Sequence, residues 1–166
     1  MTTTQTALTT QVYRVWIRAS PQAIWDAITK PEWTDRYGYT GLAGYDLRPG
    51  GAFRVVAGET MEKAGFTGPM VDGEVVDADP PRKLVQTWRL LMDPGLQAEG
   101  FSNLTYEIEE TAEGVTRLTV THDLEGTPGL AAMVAGEDEA SGAGGGWAWI
   151  LSDLKSLLET GKTLAG

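Results

Sequence analysis

The sequence predicts an α+β fold in which a curved antiparallel sheet wraps around a long C-terminal helix. Three observations carry that prediction. Several segments alternate apolar and polar residues, as strands with one buried face do. Two of them, 102–110 and 115–122, are separated by a short turn and read as a hairpin. The last helical segment, 147–160, carries Trp147, Ile150, Leu151, Leu154, Leu157 and Leu158 at i, i+3, i+4 and i+7 spacing, which makes one apolar stripe.

The first strand is expected over 12–18, where Tyr13, Val15 and Ile17 alternate with Arg14, Trp16 and Arg18. Ser20-Pro21 supplies an N-cap and a proline in the first turn, so a helix runs over Pro21–Thr29. Pro31 ends it. A second short helix is expected over 32–37, with Trp33 and Tyr37 four apart on one face. Arg48-Pro-Gly-Gly51 marks a turn before a strand at 52–57. Residues 59–68 are loosely patterned and read as a loop or a short helix. A strand at 70–78 ends at Asp79-Pro-Pro81. The strand at 84–91 puts Leu84, Gln86, Trp88 and Leu90 on one face, and 92–100 is a long connection.

In the hairpin, pairing Glu110 with Thr116 sets Leu104 opposite His122 and Tyr106 diagonal to it, while a slip by two residues would keep the same faces. Leu118, Val120 and His122 then face inward. Glu107 and Glu109 share the opposite face and read as solvated rather than as a catalytic carboxylate pair. Residues 125–146 are rich in Gly and Ala and carry the acidic run Glu137-Asp-Glu139. They are expected to be a mobile surface segment with one short helix at 130–134. The run Gly142-Ala-Gly-Gly-Gly146 lacks the lysine and spacing of a phosphate cradle and reads as a hinge. Gly161 is a helix stop.

Composition narrows the function. The chain has 166 residues and fits one domain, 11–161, after a polar tail at 1–10 that is expected to be disordered. A formal net charge of −10 argues against nucleic acid and membrane surfaces as partners. The chain has no cysteine, so disulfides and thiolate chemistry are excluded. One histidine, and no metal-ligand motif, argues against a bound metal, and nothing calls for a cofactor. The N-terminus does not read as a signal peptide and no run is long enough to span a membrane, so a cytoplasmic location is expected.

Five stretches carry a family resemblance. They are Val15-Trp-Ile-Arg-Ala-Ser-Pro-Gln-Ala-Ile-Trp-Asp-Ala-Ile-Thr29, Asp46-Leu-Arg-Pro-Gly-Gly-Ala-Phe53, Gly73-Glu-Val-Val-Asp-Ala-Asp-Pro-Pro-Arg-Lys-Leu-Val-Gln-Thr-Trp88, Thr116-Arg-Leu-Thr-Val-Thr-His122 and Gly146-Trp-Ala-Trp-Ile-Leu-Ser-Asp-Leu-Lys-Ser-Leu-Leu158. With them the chain resembles the START-like, helix-grip (SRPBCC) superfamily, and within it the bacterial relatives of the activator of the heat-shock-protein ATPase. The resemblance implies a sheet gripping the last helix with a ligand cavity between them. It does not choose among binding, catalysis and chaperone assistance.

The expected ligand is a small apolar or aromatic molecule held by Trp33, Phe53, Trp88, Tyr106, His122, Trp147, Leu151 and Leu154. An alternative is an enzyme of cyclase or lyase type, with His122 and Tyr106 as the candidate proton carriers. The favoured reading of His122 is a histidine that only satisfies a structural hydrogen bond, since inward position alone does not show a perturbed pKa. A third reading is a protein-interaction module that assists a chaperone. Homodimer formation and a chaperone partner both stay open.

Overall fold

The computed structural model describes residues 9–141 and 144–164, so the expected tail up to residue 8 and Gly142-Ala143 of the glycine run lie outside the described residues. Seven strands form one antiparallel sheet: β1 (Thr10–Ile17), β2 (Leu42–Tyr45), β3 (Ala52–Val56), β4 (Pro69–Asp79), β5 (Lys83–Leu90), β6 (Ser102–Ala112) and β7 (Val115–Asp123). Their order across the sheet is β1-β7-β6-β5-β4-β3-β2. Among the described residues six α-helices accompany them, α1 (Pro21–Thr29), α2 (Pro31–Thr34), α3 (Glu59–Lys63), α4 (Pro94–Ala98), α5 (Pro128–Val134) and α6 (Gly146–Thr160), with one 3-10 turn at Glu139–Ser141. This is the α+β helix-grip arrangement, with α6 lying against the concave face.

Local chemistry explains most boundaries. The Ser20 hydroxyl accepts the Ala23 N–H, which caps α1. The hairpin forms in the expected register, with Leu104 opposite His122 and Glu110 opposite Thr116. Two devices bend the sheet. The β4–β5 register slips between Val75 and Asp77, a bulge that adds twist. Gly73 lets β4 approach β5, since a Cβ there would lie 2.0 Å from the Thr87 carbonyl oxygen.

Several elements differ from expectation. Strand β2 was unforeseen, because Leu42-Ala-Gly-Tyr45 has no clear alternation. Helix α2 is a single turn that stops at Thr34, so Tyr37 leaves the Trp33 face and donates instead to the Ala27 carbonyl. The segment after β7 buries more than its composition suggests. Leu130, Ala131 and Val134 of α5 belong to the main core. The Glu99 carboxylate accepts the Gly129 and Leu130 N–H groups, and Gln11 donates to the Ala131 carbonyl. The described glycines before α6 serve close packing rather than showing a hinge: at Gly146 (φ +71°) a Cβ would sit 2.2 Å from the Val134 carbonyl oxygen.

Helix α6 clamps the sheet through Trp147, Leu151, Leu154 and Leu157, all buried. Its outer side also manages the free edge of β1. Lys155 donates to the Trp16 carbonyl and Glu159 accepts the Arg18 N–H, which occupies backbone groups that an edge strand otherwise leaves open. Asp153 lies off the apolar stripe of α6. It is buried because its carboxylate accepts two main-chain N–H groups, from Gly38 and from Leu164. Among the described residues no helix is long and apolar enough to cross a membrane.

Leu154 is 1% exposed and sits where α6 meets the sheet. Truncating it to Ala should cost about 2–5 kcal/mol in a urea melt, the range for a buried leucine that leaves a cavity. A loss within experimental noise would show that α6 is peripheral to the core.

Candidate functional site

A cavity of about 670 Å³ lies between α6 and the concave face of the sheet. Its floor is Trp88 and Leu90 from β5 with Tyr106 from β6. Tyr45 and Phe53 close the β2–β3 side, their rings 4.6 Å apart. Trp147, Ile150, Leu151 and Leu154 of α6 form the opposite wall. Residues 37–41, which Asp153 ties to α6 through Gly38, complete the rim on one side. Exposed Phe66 and Met92 stand at the outer part of the wall.

The tyrosines divide by hydrogen bonding. Tyr37 donates to the Ala27 carbonyl at 2.8 Å and Tyr45 donates to the Gln86 side-chain oxygen at 2.6 Å. The Tyr106 hydroxyl has no hydrogen-bond partner among the described residues, although its ring packs edge-on against Trp147. Burial pushes all three phenols well above their usual range, so they stay protonated at neutral pH. Two are spent on the fold. Tyr106 keeps a polar atom for whatever occupies the cavity.

His122 lies outside the cavity wall. It is 0% exposed, behind Trp147 and Trp88, whose rings meet it edge-on. The Trp147 indole N–H donates to its Nδ1 at 3.0 Å. An indole can only donate, so Nδ1 is unprotonated and Nε2 carries the proton. Nε2 lies 2.7 Å from the Ser102 hydroxyl, which in turn donates to the Trp88 carbonyl at 2.9 Å. The chain of donors runs from Trp147 through His122 and Ser102 to Trp88 and leaves no imidazole nitrogen for a substrate.

Phe53, Trp88, Tyr106, Trp147, Leu151 and Leu154 therefore line the cavity, whereas Trp33 and His122 do not. Trp33 packs half-buried against the core with the Arg36 guanidinium 4.8 Å over its ring. Sequence reading missed Tyr37 and Tyr45. It also missed Met61, Met70, Met92 and Met133, which are all the methionines among the described residues and all line the cavity. Methionine carries no periodicity signal of its own, but its unbranched, polarizable side chain suits an irregular pocket.

Burial lowers the His122 pKa from 6.5 to about 4, only partly offset by the nearby Asp123 carboxylate. Protonation would also set two N–H groups against each other at Nδ1. Stability from this site is thus complete above about pH 6.5 and is lost as pH falls through about 4, because the unfolded chain binds the proton first. The loss should approach about 3 kcal/mol. His122→Gln should flatten that part of the stability-versus-pH curve in urea melts between pH 4 and 7. An unchanged curve would move the effect to another group.

Comparisons with known proteins agree with the architecture. The family described as activator of Hsp90 ATPase homolog 1-like protein matches residues 18–159. The solution structure of the Aha1 dimer from Colwellia psychrerythraea is 21% identical, with 92% of this chain and 98% of that one covered and a TM-score of 0.61. The solution structure of CalU16 from Micromonospora echinospora is 20% identical, with 95% and 69% covered and a TM-score of 0.62. PFC0360w, an HSP90 activator from Plasmodium falciparum, is 22% identical, with 69% and 71% covered and a TM-score of 0.51. At these identities the likeness establishes fold. Comparison with curated proteins gave no match. With nearly the whole sheet and helix inside the matched span, the chain belongs to the activator of Hsp90 ATPase homolog 1-like family.

Proposed function

We propose that the protein binds a small apolar or aromatic molecule between α6 and the sheet. The observation that carries this reading is the Tyr106 hydroxyl, a polar group on a largely aromatic and aliphatic wall to which the described residues give no hydrogen bond. An apolar pocket with a few convergent polar groups is the usual form of a small-molecule site. The volume suits a ligand of two or three fused or linked rings. Binding is favoured over a cyclase or lyase reaction because His122 is committed to Trp147 and Ser102, and the phenol of Tyr106 is too weak an acid to shuttle protons readily near neutrality. The chaperone-assisting reading rests on the family description, and homodimer formation rests on the dimeric Colwellia relative.

Native mass spectrometry of freshly purified protein, followed by extraction, should show a co-purifying small molecule. The neutral fluorescent probe N-phenyl-1-naphthylamine should brighten on binding, and Ile150→Trp, which fills the cavity from α6, should abolish that signal while leaving the circular dichroism spectrum intact. Equal brightening by the filled variant would place the probe elsewhere and remove support for the cavity.

Two tyrosine variants should separate ligand contact from structure. Tyr45→Phe strands the buried Gln86 oxygen and should cost about 1–3 kcal/mol of stability. Tyr106→Phe removes no protein hydrogen bond, so its melting curve should match the parent. It should weaken an oxygen-bearing ligand by about three- to tenfold, the worth of one hydrogen bond. Destabilisation by Tyr106→Phe equal to that of Tyr45→Phe would mean that both hydroxyls are structural.

A further inference from the structure

Building on the cavity-binding reading, we infer that the site takes uncharged aromatic molecules and turns away anions, so that carboxylates, sulfonates and phosphates of the same shape are poor ligands. The charge distribution on the wall points there. No Lys, Arg or His lines the cavity among the described residues, and its two charged side chains, Asp93 and Asp138, are both acidic. Asp93 is held in place as the cap of α4, where it accepts the Gly95 and Leu96 N–H groups. An anion inside would lose its hydration and meet carboxylates in place of a counter-ion.

The positive end of a helix is the other place where an anion finds donors, and α6 starts at this wall. One donor of that end is already taken, and an acidic side chain stands beside it. The Gly146 backbone bonds to the Tyr39 hydroxyl, which lowers a phenol pKa that burial, and then the nearby negative charge of Glu139, raise. A Cβ on Gly145 would lie 3.4 Å from the Glu139 carboxylate, so that side chain reaches the first turn of α6. The acidic run before α6 thereby offsets the helix dipole at the cavity. The hydroxyls of Tyr37 and Tyr45 are committed to protein acceptors. A lone phenol donor at Tyr106 suits a ketone, ether or hydroxyl, and does not replace the several water molecules around a carboxylate. The net charge of −10 adds repulsion at longer range.

Two probes of one skeleton test this. N-Phenyl-1-naphthylamine is neutral, and 8-anilino-1-naphthalenesulfonate is the same ring system with one sulfonate. Both are titrated into the intact protein, with Ile150→Trp as the control that locates the signal in the cavity. The neutral probe should bind at least about tenfold more tightly, a factor typical of a charge placed in a wall without a partner. In the double variant Asp93→Asn, Asp138→Asn, with the cap preserved by Asn, the gap should narrow by about threefold or more. Equal affinities, or a preference for the sulfonate, would overturn the inference while the cavity reading stands. A gap that the double variant leaves unchanged would overturn the role of the two carboxylates. Failure of both probes would overturn the cavity reading itself, and this inference with it.

Discussion

The hydrogen bond from the Trp147 indole to His122 Nδ1 fixes where the long helix meets the sheet. At the first turn of α6 it stands beside a second polar tie, the bond between the Gly146 backbone and the Tyr39 hydroxyl. Through the bond to His122, one edge of the indole is tied to β7 while its ring forms part of the cavity wall. The same imidazole reaches Ser102 on β6, and Ser102 reaches the Trp88 carbonyl on β5. One buried side chain thus joins a helix and three neighbouring strands. A network of this kind is strong only while every member is satisfied, which is why a neutral His122 matters to the whole arrangement.

Around that junction the cavity follows from geometry. The bulge in β4 and the close approach at Gly73 lie on the side of β2 to β5, which lines the cavity through Phe53, Val71 and Trp88. At the β1 and β7 side the gap narrows: Leu118 still lines the cavity, whereas Ile17 and Val120 pack directly into the core. Phe53, Ala57, Met70 and Val71 form a second, smaller cluster on the open side. The space between the two clusters is the site. Asp153 adds a tether at its rim, because its two oxygens hold the loop at Gly38 and the chain at Leu164 to the middle of α6.

Patterns of period two and 3.6 were legible in the sequence, and so were strong punctuation residues. Helix α1 starts and stops where Ser20-Pro21 and Pro31 require. The inward faces of β6 and β7 follow from alternation, but their register does not, since a slip by two residues would keep the same faces; the structure shows which pairing forms. What the sequence could not show is which buried face borders a void. His122 and Tyr106 share an inward face and sit two residues apart in register, yet one is covered by Trp147 and the other lines the cavity. Alternation gives side, not depth. Strand β2 escaped because Leu42-Ala-Gly-Tyr45 is ordered by its partner β3 rather than by its own pattern. Asp153 escaped because its partners are backbone groups far along the chain, which no helical period encodes.

The distribution of polar groups also bears on why the cavity persists. Buried polar atoms without partners are costly, and this fold places nearly all of its own in pairs: Tyr37 with Ala27, Tyr45 with Gln86, Gln11 with Ala131, His122 with Trp147 and Ser102. Side chains around a void forgo dispersion contacts on one side, and Tyr106 forgoes a hydrogen bond as well. An occupant with one oxygen would recover both losses at once. A simple core would gain stability by collapsing onto the space, and flexible methionines at four points of the wall would allow that collapse. The aromatic rings oppose it. Trp147 is held by His122, Tyr45 by Gln86 and Tyr37 by Ala27, so the wall is pinned by hydrogen bonds that point away from the cavity. Rigid aromatic faces with adaptable methionines between them describe a site that keeps its volume while adjusting its outline to an uncharged ring system.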